Sequence, residues 1–221
     1  MNDQLQSALA ETPADFQEAV ARLINHHLDS LAARIDHFIA NGAPNELQEP
    51  FVFEERTLPL LQEAWRPFEE WKAGQRSLAD AIQASGVSGL LLILGQRLTP
   101  ASLTDERGIP ASRQQLLDSA SKRFNEADEL SVAGRALTKH EGRSDDPFWP
   151  KPTGSPTDKN ETALQLLESI LDNPTWWNVF EHFSHAVVYE ARLPSGHGAR
   201  WGHDGGEFIG FLEMHDETKR F

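Results

Sequence analysis

Beyond residue 131 lie His140, His182, His185, His197, His203 and His215, with four of the six tryptophans, nine of the fifteen glycines and the only tyrosine, Tyr189. Histidine takes and gives a proton near neutral pH. Arginine keeps its charge and meets a phosphate with paired donors. His140, Arg143 and Arg200, joined by His197 or Tyr189, form a set suited to phosphodiester chemistry. Cleavage of RNA by its own 2′-hydroxyl needs a base on that hydroxyl, an acid on the leaving oxygen and cations on the phosphate. It requires no metal and no organic cofactor, and neither is expected. His203, beside Asp204-Gly205, reads as a solvated hairpin residue, and His215 reads as tail. His182 and His185 would share one side of a helix, but no ligand partner stands at a recognisable spacing, so no zinc site is expected. Trp176 and Trp177 read as core or interface. The phosphate-loop, nucleophile-elbow and H-E-x-x-H patterns are all missing from the sequence.

The elements that must position these residues fall into two regions. Residues 1–130 read as a mainly helical accessory domain. Phe16, Val20, Leu23, Ile24, Leu28, Leu31, Ile35 and Phe38 predict one helix over residues 14–40, ended by Asn41-Gly42. A loop is expected over residues 45–53. A second helix is expected over residues 56–84, kinked at Pro67. Ser85-Gly86-Val87-Ser88-Gly89 breaks that pattern before the apolar run at residues 90–94, which fits a buried strand or part of a helix. Pro110 opens a further helix to about Phe124.

Residues 131–221 read as a separate α+β domain. Ser131 caps a short helix over residues 132–140, and Ser155-Pro156 starts a helix to about Asp172. Three strands are expected at residues 186–193, 199–201 and 207–213, separated by turns at Pro194-Ser195-Gly196 and Asp204-Gly205-Gly206. The fold class is therefore α+β: helices first, then two helices and a small antiparallel sheet.

Composition limits the partners. The net charge is −14, split −9 over residues 1–130 and −5 over residues 131–221. Neither region is a general binder of polyanions, because that needs clustered Lys and Arg. No DNA binding is expected, and an RNA substrate would need a local cleft. No apolar run is long enough to cross a bilayer, so no membrane role is expected. The absence of cysteine fits a cytoplasmic protein, or one that crosses membranes unfolded.

An ordered set of residues in the second region is more specific than its parts. It runs Leu137-Thr138-Lys139-His140 with Arg143, then Gly154, Lys159-Asn160 and Ile170-Leu171-Asp172-Asn173-Pro174. It continues through Tyr189, Arg192, Pro194, Gly196-His197-Gly198-Ala199-Arg200 and Asp204-Gly205 to Phe208-Ile209-Gly210-Phe211-Leu212-Glu213. Over residues 131–216 this resembles the C-terminal toxin domains of bacterial polymorphic and contact-dependent inhibition systems. Those resemble the metal-independent ribonuclease fold of barnase, EndoU, RelE and the RNA-cleaving colicins. The resemblance implies an endoribonuclease, delivered into a target cell's cytoplasm if it is a toxin. It implies His140 as acid or base, Arg143 and Arg200 on phosphate, and Tyr189 as a hydrogen-bond donor. The alternative is a non-catalytic interaction module on the same scaffold, with the helical N-terminal part docking a protein partner.

Overall fold

The computed structural model describes residues 1–44, 46–47, 55–142 and 146–214. Arg143, His215 and most of the loop expected at residues 45–53 lie outside the described residues. Among the described residues, eight α-helices precede a four-stranded antiparallel sheet, which is the α+β order the sequence predicts. The chain divides into two compact units. One is Met1–Pro110 with Asn178–Glu181, and the other is Ala111–Trp177 with His182–Phe221.

The first unit is built from α1 (Asn2–Ala10), α2 (Ala14–Ala19), α3 (Ala21–Asn41), α4 (Thr57–Lys72) and α5 (Leu78–Leu94). Its core stacks Phe38 on Trp65, with ring centroids 4.4 Å apart, and sets Phe68 edge-on to Trp65. The helix expected over residues 14–40 is two helices. The chain leaves helical geometry at Val20, where φ is −98° and ψ is 4°. The helix expected over residues 56–84 is also two, because Gly74 takes a positive φ and Ser77 caps a new start by accepting from the Asp80 N–H. Pro67 stays inside α4 and is buried there. Residues 90–94 are the end of α5, and all five are buried. The expected break at residues 85–89 survives as a kink inside α5, at Gly86. Among the described residues, no helix is long and apolar enough to cross a membrane.

The second unit holds α6 (Arg113–Ser121), α7 (Val132–Glu141), α8 (Pro156–Asp172) and the sheet strands β2 (Ala186–Arg192), β3 (Gly198–Gly202) and β4 (Phe208–Leu212). The helix expected from Pro110 begins at Arg113 instead, because Ser112 and Gln115 form a reciprocal capping box there. Ser131 caps α7, and α8 starts at Ser155-Pro156, both as the sequence predicts; Ser155 and Asp158 also form a capping box there. Asn160 of α8 joins the two helices. It accepts from the Ser131 N–H at 2.8 Å and donates to the Glu129 carbonyl at 3.0 Å. A Cβ at Gly134 would lie 2.2 Å from the Asn160 Oδ1, so only glycine allows this approach.

A fourth strand, β1 (Trp176–His182), was not among the three expected, and the sheet order is β1-β2-β3-β4. His182 ends this strand and His185 lies in the turn after it, so they do not share the helix their spacing suggested. Trp176 and Trp177 are buried, as core residues should be. Register fixes which side chains share a face. Tyr189 pairs with Trp201, Ala191 with Ala199, Ala199 with Phe211, and Trp201 with Phe208. That apolar face takes its helix contact through Trp201, whose Nε1 donates to the Leu116 carbonyl at 3.0 Å. Glu190, Arg192 and Arg200 occupy the opposite face.

Candidate functional site

The last turn of α7, the loop before α8, the β2–β3 turn and the end of β4 converge in the second unit. His140 arrives from α7. Its Nδ1 lies 2.9 Å from the Glu213 Oε1, and its Nε2 lies 3.1 Å from the Phe211 carbonyl. His197 arrives from the β2–β3 turn. Its Nε2 lies 2.7 Å from the Asp146 Oδ2, and its Nδ1 lies 3.1 Å from the Ser195 Oγ. Trp149 sits between the two histidines. Its ring centroid is 4.7 Å from that of His140 and 5.3 Å from that of His197. Its Nε1 donates to the Glu213 Oε2 at 3.0 Å. Phe148 lies flat on His197, with centroids 3.9 Å apart and planes 5° apart.

Each histidine is thus anchored on one ring nitrogen by an inner partner and capped on the other by a more exposed side chain. The Phe211 carbonyl anchors His140, and the exposed Glu213 carboxylate caps it. Asp146 anchors His197, and the exposed Ser195 hydroxyl caps it. Asp146 is held ionised. The Phe148 N–H that it accepts, and then the His197 ring, push its carboxyl below the usual aspartate value.

A second polar group occupies the other face of the sheet. The Glu190 Oε1 accepts from the Arg192 Nε at 2.6 Å, and its Oε2 accepts from the Arg200 Nη2 at 2.7 Å. The Glu190 side chain is only 4% exposed. Burial pushes its carboxyl up, but the Arg192 and Arg200 charges outweigh burial and hold it below the usual glutamate value. Arg192 also donates from Nη1 to the Gly196 and Glu213 carbonyls. It can lie across β3 because residue 198 is glycine; a Cβ there would meet the Arg192 Cγ at 2.8 Å.

Of the residues proposed from sequence, the fold brings His140 and His197 together on Trp149. It does not bring Arg200 or Tyr189 to them. Arg200 is bound by Glu190, which is linked to the histidine cluster through Arg192 and the backbone of Glu213. Tyr189 is buried between Trp177 and Trp201, and burial pushes its phenol well above the usual tyrosine value. No role for Asp146, Phe148, Trp149 or Glu213 follows from sequence reasoning. Asp146 and Glu213 are 51 and 73 residues from their histidines, so no local pattern connects them. For Glu190 and Arg192 a signal existed: charges alternating along a strand that is otherwise apolar.

The family comparison places this α+β unit in the class of C-terminal bacterial toxin domains. Residues 117–213 match the CdiA C-terminal tRNase toxin domain. The chain belongs to that family. A solved structure of the toxic C-terminal tip of CdiA from Pseudomonas aeruginosa, in complex with immune protein, is 31% identical in sequence. The likeness covers 43% of this chain and 99% of that one, with a TM-score of 0.38. No curated protein matches the chain.

Proposed function

We propose that residues 117–213 form a metal-independent endoribonuclease toxin domain, with His140 and His197 as its proton carriers. The observation that carries this is the meeting of two histidines on one tryptophan, each anchored on one nitrogen and capped by a displaceable group on the other. In the proposed reaction the 2′-oxygen attacks phosphorus and the bond to the 5′-oxygen breaks. One imidazole takes the 2′-hydroxyl proton. The other, protonated, gives its proton to the departing 5′-oxygen. The products are a 2′,3′-cyclic phosphate and a 5′-hydroxyl. The substrate displaces Glu213 from His140 and Ser195 from His197. Arg143, three residues after His140, is the proposed phosphate ligand. Arg200 and Tyr189 are assigned to holding the sheet, because Glu190 and the aromatic core engage them.

The family name supports transfer RNA as the substrate class, and the target cell's cytoplasm as the place of action. The CdiA tip solved with an immune protein supports an immunity protein as the partner of this domain. The helical residues 1–110 serve as an accessory part. The test is cleavage of total tRNA by the purified full chain in a chelator-containing buffer, with product ends mapped. His140→Ala and His197→Ala should each slow cleavage by about 10²–10⁴-fold. Undiminished cleavage in either variant, or cleavage that requires added metal, overturns the proposal.

A further inference from the structure

The histidine cluster contains a second convergence that proton transfer does not use. One donor atom each from Asp146, His197 and Glu213 lies within 4.8 Å of the other two. These are two carboxylate oxygens and an imidazole nitrogen, a donor set that suits zinc. A four-coordinate zinc with bonds of about 2.0–2.1 Å sets its ligand atoms roughly 3.3 Å apart. Small side-chain movements would therefore close the three donors on an ion, and water would complete the tetrahedron.

The surroundings hold these donors in place. The Arg192 Nη1 donates to the carbonyls of Gly196 and Glu213, which ties the backbone beside His197 to that of Glu213. The Asp146 Oδ1 is occupied by the Phe148 N–H at 2.9 Å, which leaves Oδ2 facing His197. Phe148 stacks on the His197 ring and fixes its plane. Ser195 Oγ lies 3.1 Å from His197 Nδ1 and can accept a hydrogen from it, which leaves the Nε2 lone pair for a cation. Metal-bound histidines are commonly oriented by such an outer hydrogen bond.

We infer that Asp146, His197 and Glu213 form a zinc site that inhibits the domain when occupied. The site rests on the donor geometry alone; its inhibitory effect rests on the proton-transfer roles proposed above. A cation on Nε2 keeps the His197 proton on Nδ1, so that nitrogen can no longer accept the substrate's proton. It also draws Glu213 away from His140 and Trp149.

Titration calorimetry with zinc chloride on the chelator-stripped full chain tests the site without reference to RNA. One zinc per chain is expected. Asp146→Asn and Glu213→Gln should each weaken binding by about 10–100-fold. The double variant His182→Ala/His185→Ala should bind as the unmodified chain does. Absence of saturable binding, retention of binding in both carboxylate variants, or loss of it in the His182/His185 variant overturns the site. A separate tRNA cleavage assay reads the effect. Zinc should suppress cleavage and a chelator should restore it. Zinc that binds while cleavage continues overturns inhibition and leaves the catalytic proposal standing. Cleavage that appears only with zinc overturns both inhibition and metal independence. Zinc binding by a chain that cleaves nothing leaves the site and removes the proposed activity.

Discussion

Replacing Glu190 by Gln tests whether the charged face of the sheet is held by one carboxylate. The glutamate side chain is 4% exposed, and the two arginines it joins are 9% and 17% exposed. The amide keeps the shape and removes the charge, leaving two guanidinium groups facing a neutral partner. Breaking a buried ion pair by removing one member costs roughly 3–5 kcal/mol. Arg192 retains the Gly196 and Glu213 carbonyls, and Arg200 can turn toward solvent. The cost therefore falls at the low end, about 3 kcal/mol. Urea unfolding of the full chain, followed by far-ultraviolet circular dichroism and tryptophan fluorescence, measures it. The double variant Glu190→Leu/Arg200→Leu leaves one guanidinium, that of Arg192, without its carboxylate instead of two, and should cost less than the single change. The sign with pH is also fixed. The folded-state carboxyl is held below the usual glutamate value, so its stabilisation is present above the ordinary carboxylate range and is lost as pH falls through the folded value. The gap between the unmodified protein and Glu190→Gln should thus be widest at neutral pH and narrow in acid. A single-variant cost under about 1 kcal/mol, the range of an exposed pair, would refute the assignment. So would a double variant less stable than the single one.

Gly134→Ala forces a Cβ to 2.2 Å from the Asn160 Oδ1, and should destabilise the chain by about 1–3 kcal/mol. Asn160→Ala loses bonds to Ser131 and Glu129 and should cost about 1–2 kcal/mol, and the two costs should combine to less than their sum, as read from denaturant midpoints. Tyr189 is the only tyrosine, so absorbance at alkaline pH reports it alone. It should stay protonated well past the usual tyrosine range, and stability should fall as pH rises above the value at which unfolded tyrosine ionises, about 10. A tyrosine titrating normally in the folded chain would contradict its burial.

The second unit's helices were readable in the sequence because their starts are chemical. Ser131 and Ser155-Pro156 can do little else before an amphipathic run. Strands β2 to β4 were readable from alternation and from turn residues. Strand β1 was not, because Trp176 to Val179 are all buried and show no period of two. His182 and His185 matched a helical spacing by coincidence, since one ends a strand and the other sits in its turn. In the first unit, one positive-φ glycine and one serine cap divide what apolar periodicity alone joins. At the site, His140 and His197 were visible because histidine is rare and chemically distinctive. Their carboxylates were not, because acidic residues are common and the pairing spans more than fifty residues. Arg200 was visible as a cation, yet only strand register sets it against Glu190.

The strand order equals the chain order. Each strand after β1 therefore pairs with the segment just made before it, and the sheet needs no long loop to close. Topologies rich in such local pairings fold fast, because little chain entropy is lost before contacts form. With no cysteine to oxidise, the sheet can regain its form from an extended chain without an oxidant. For a toxin domain delivered as the function proposed above has it, being quick to rebuild would matter as much as being stable once built.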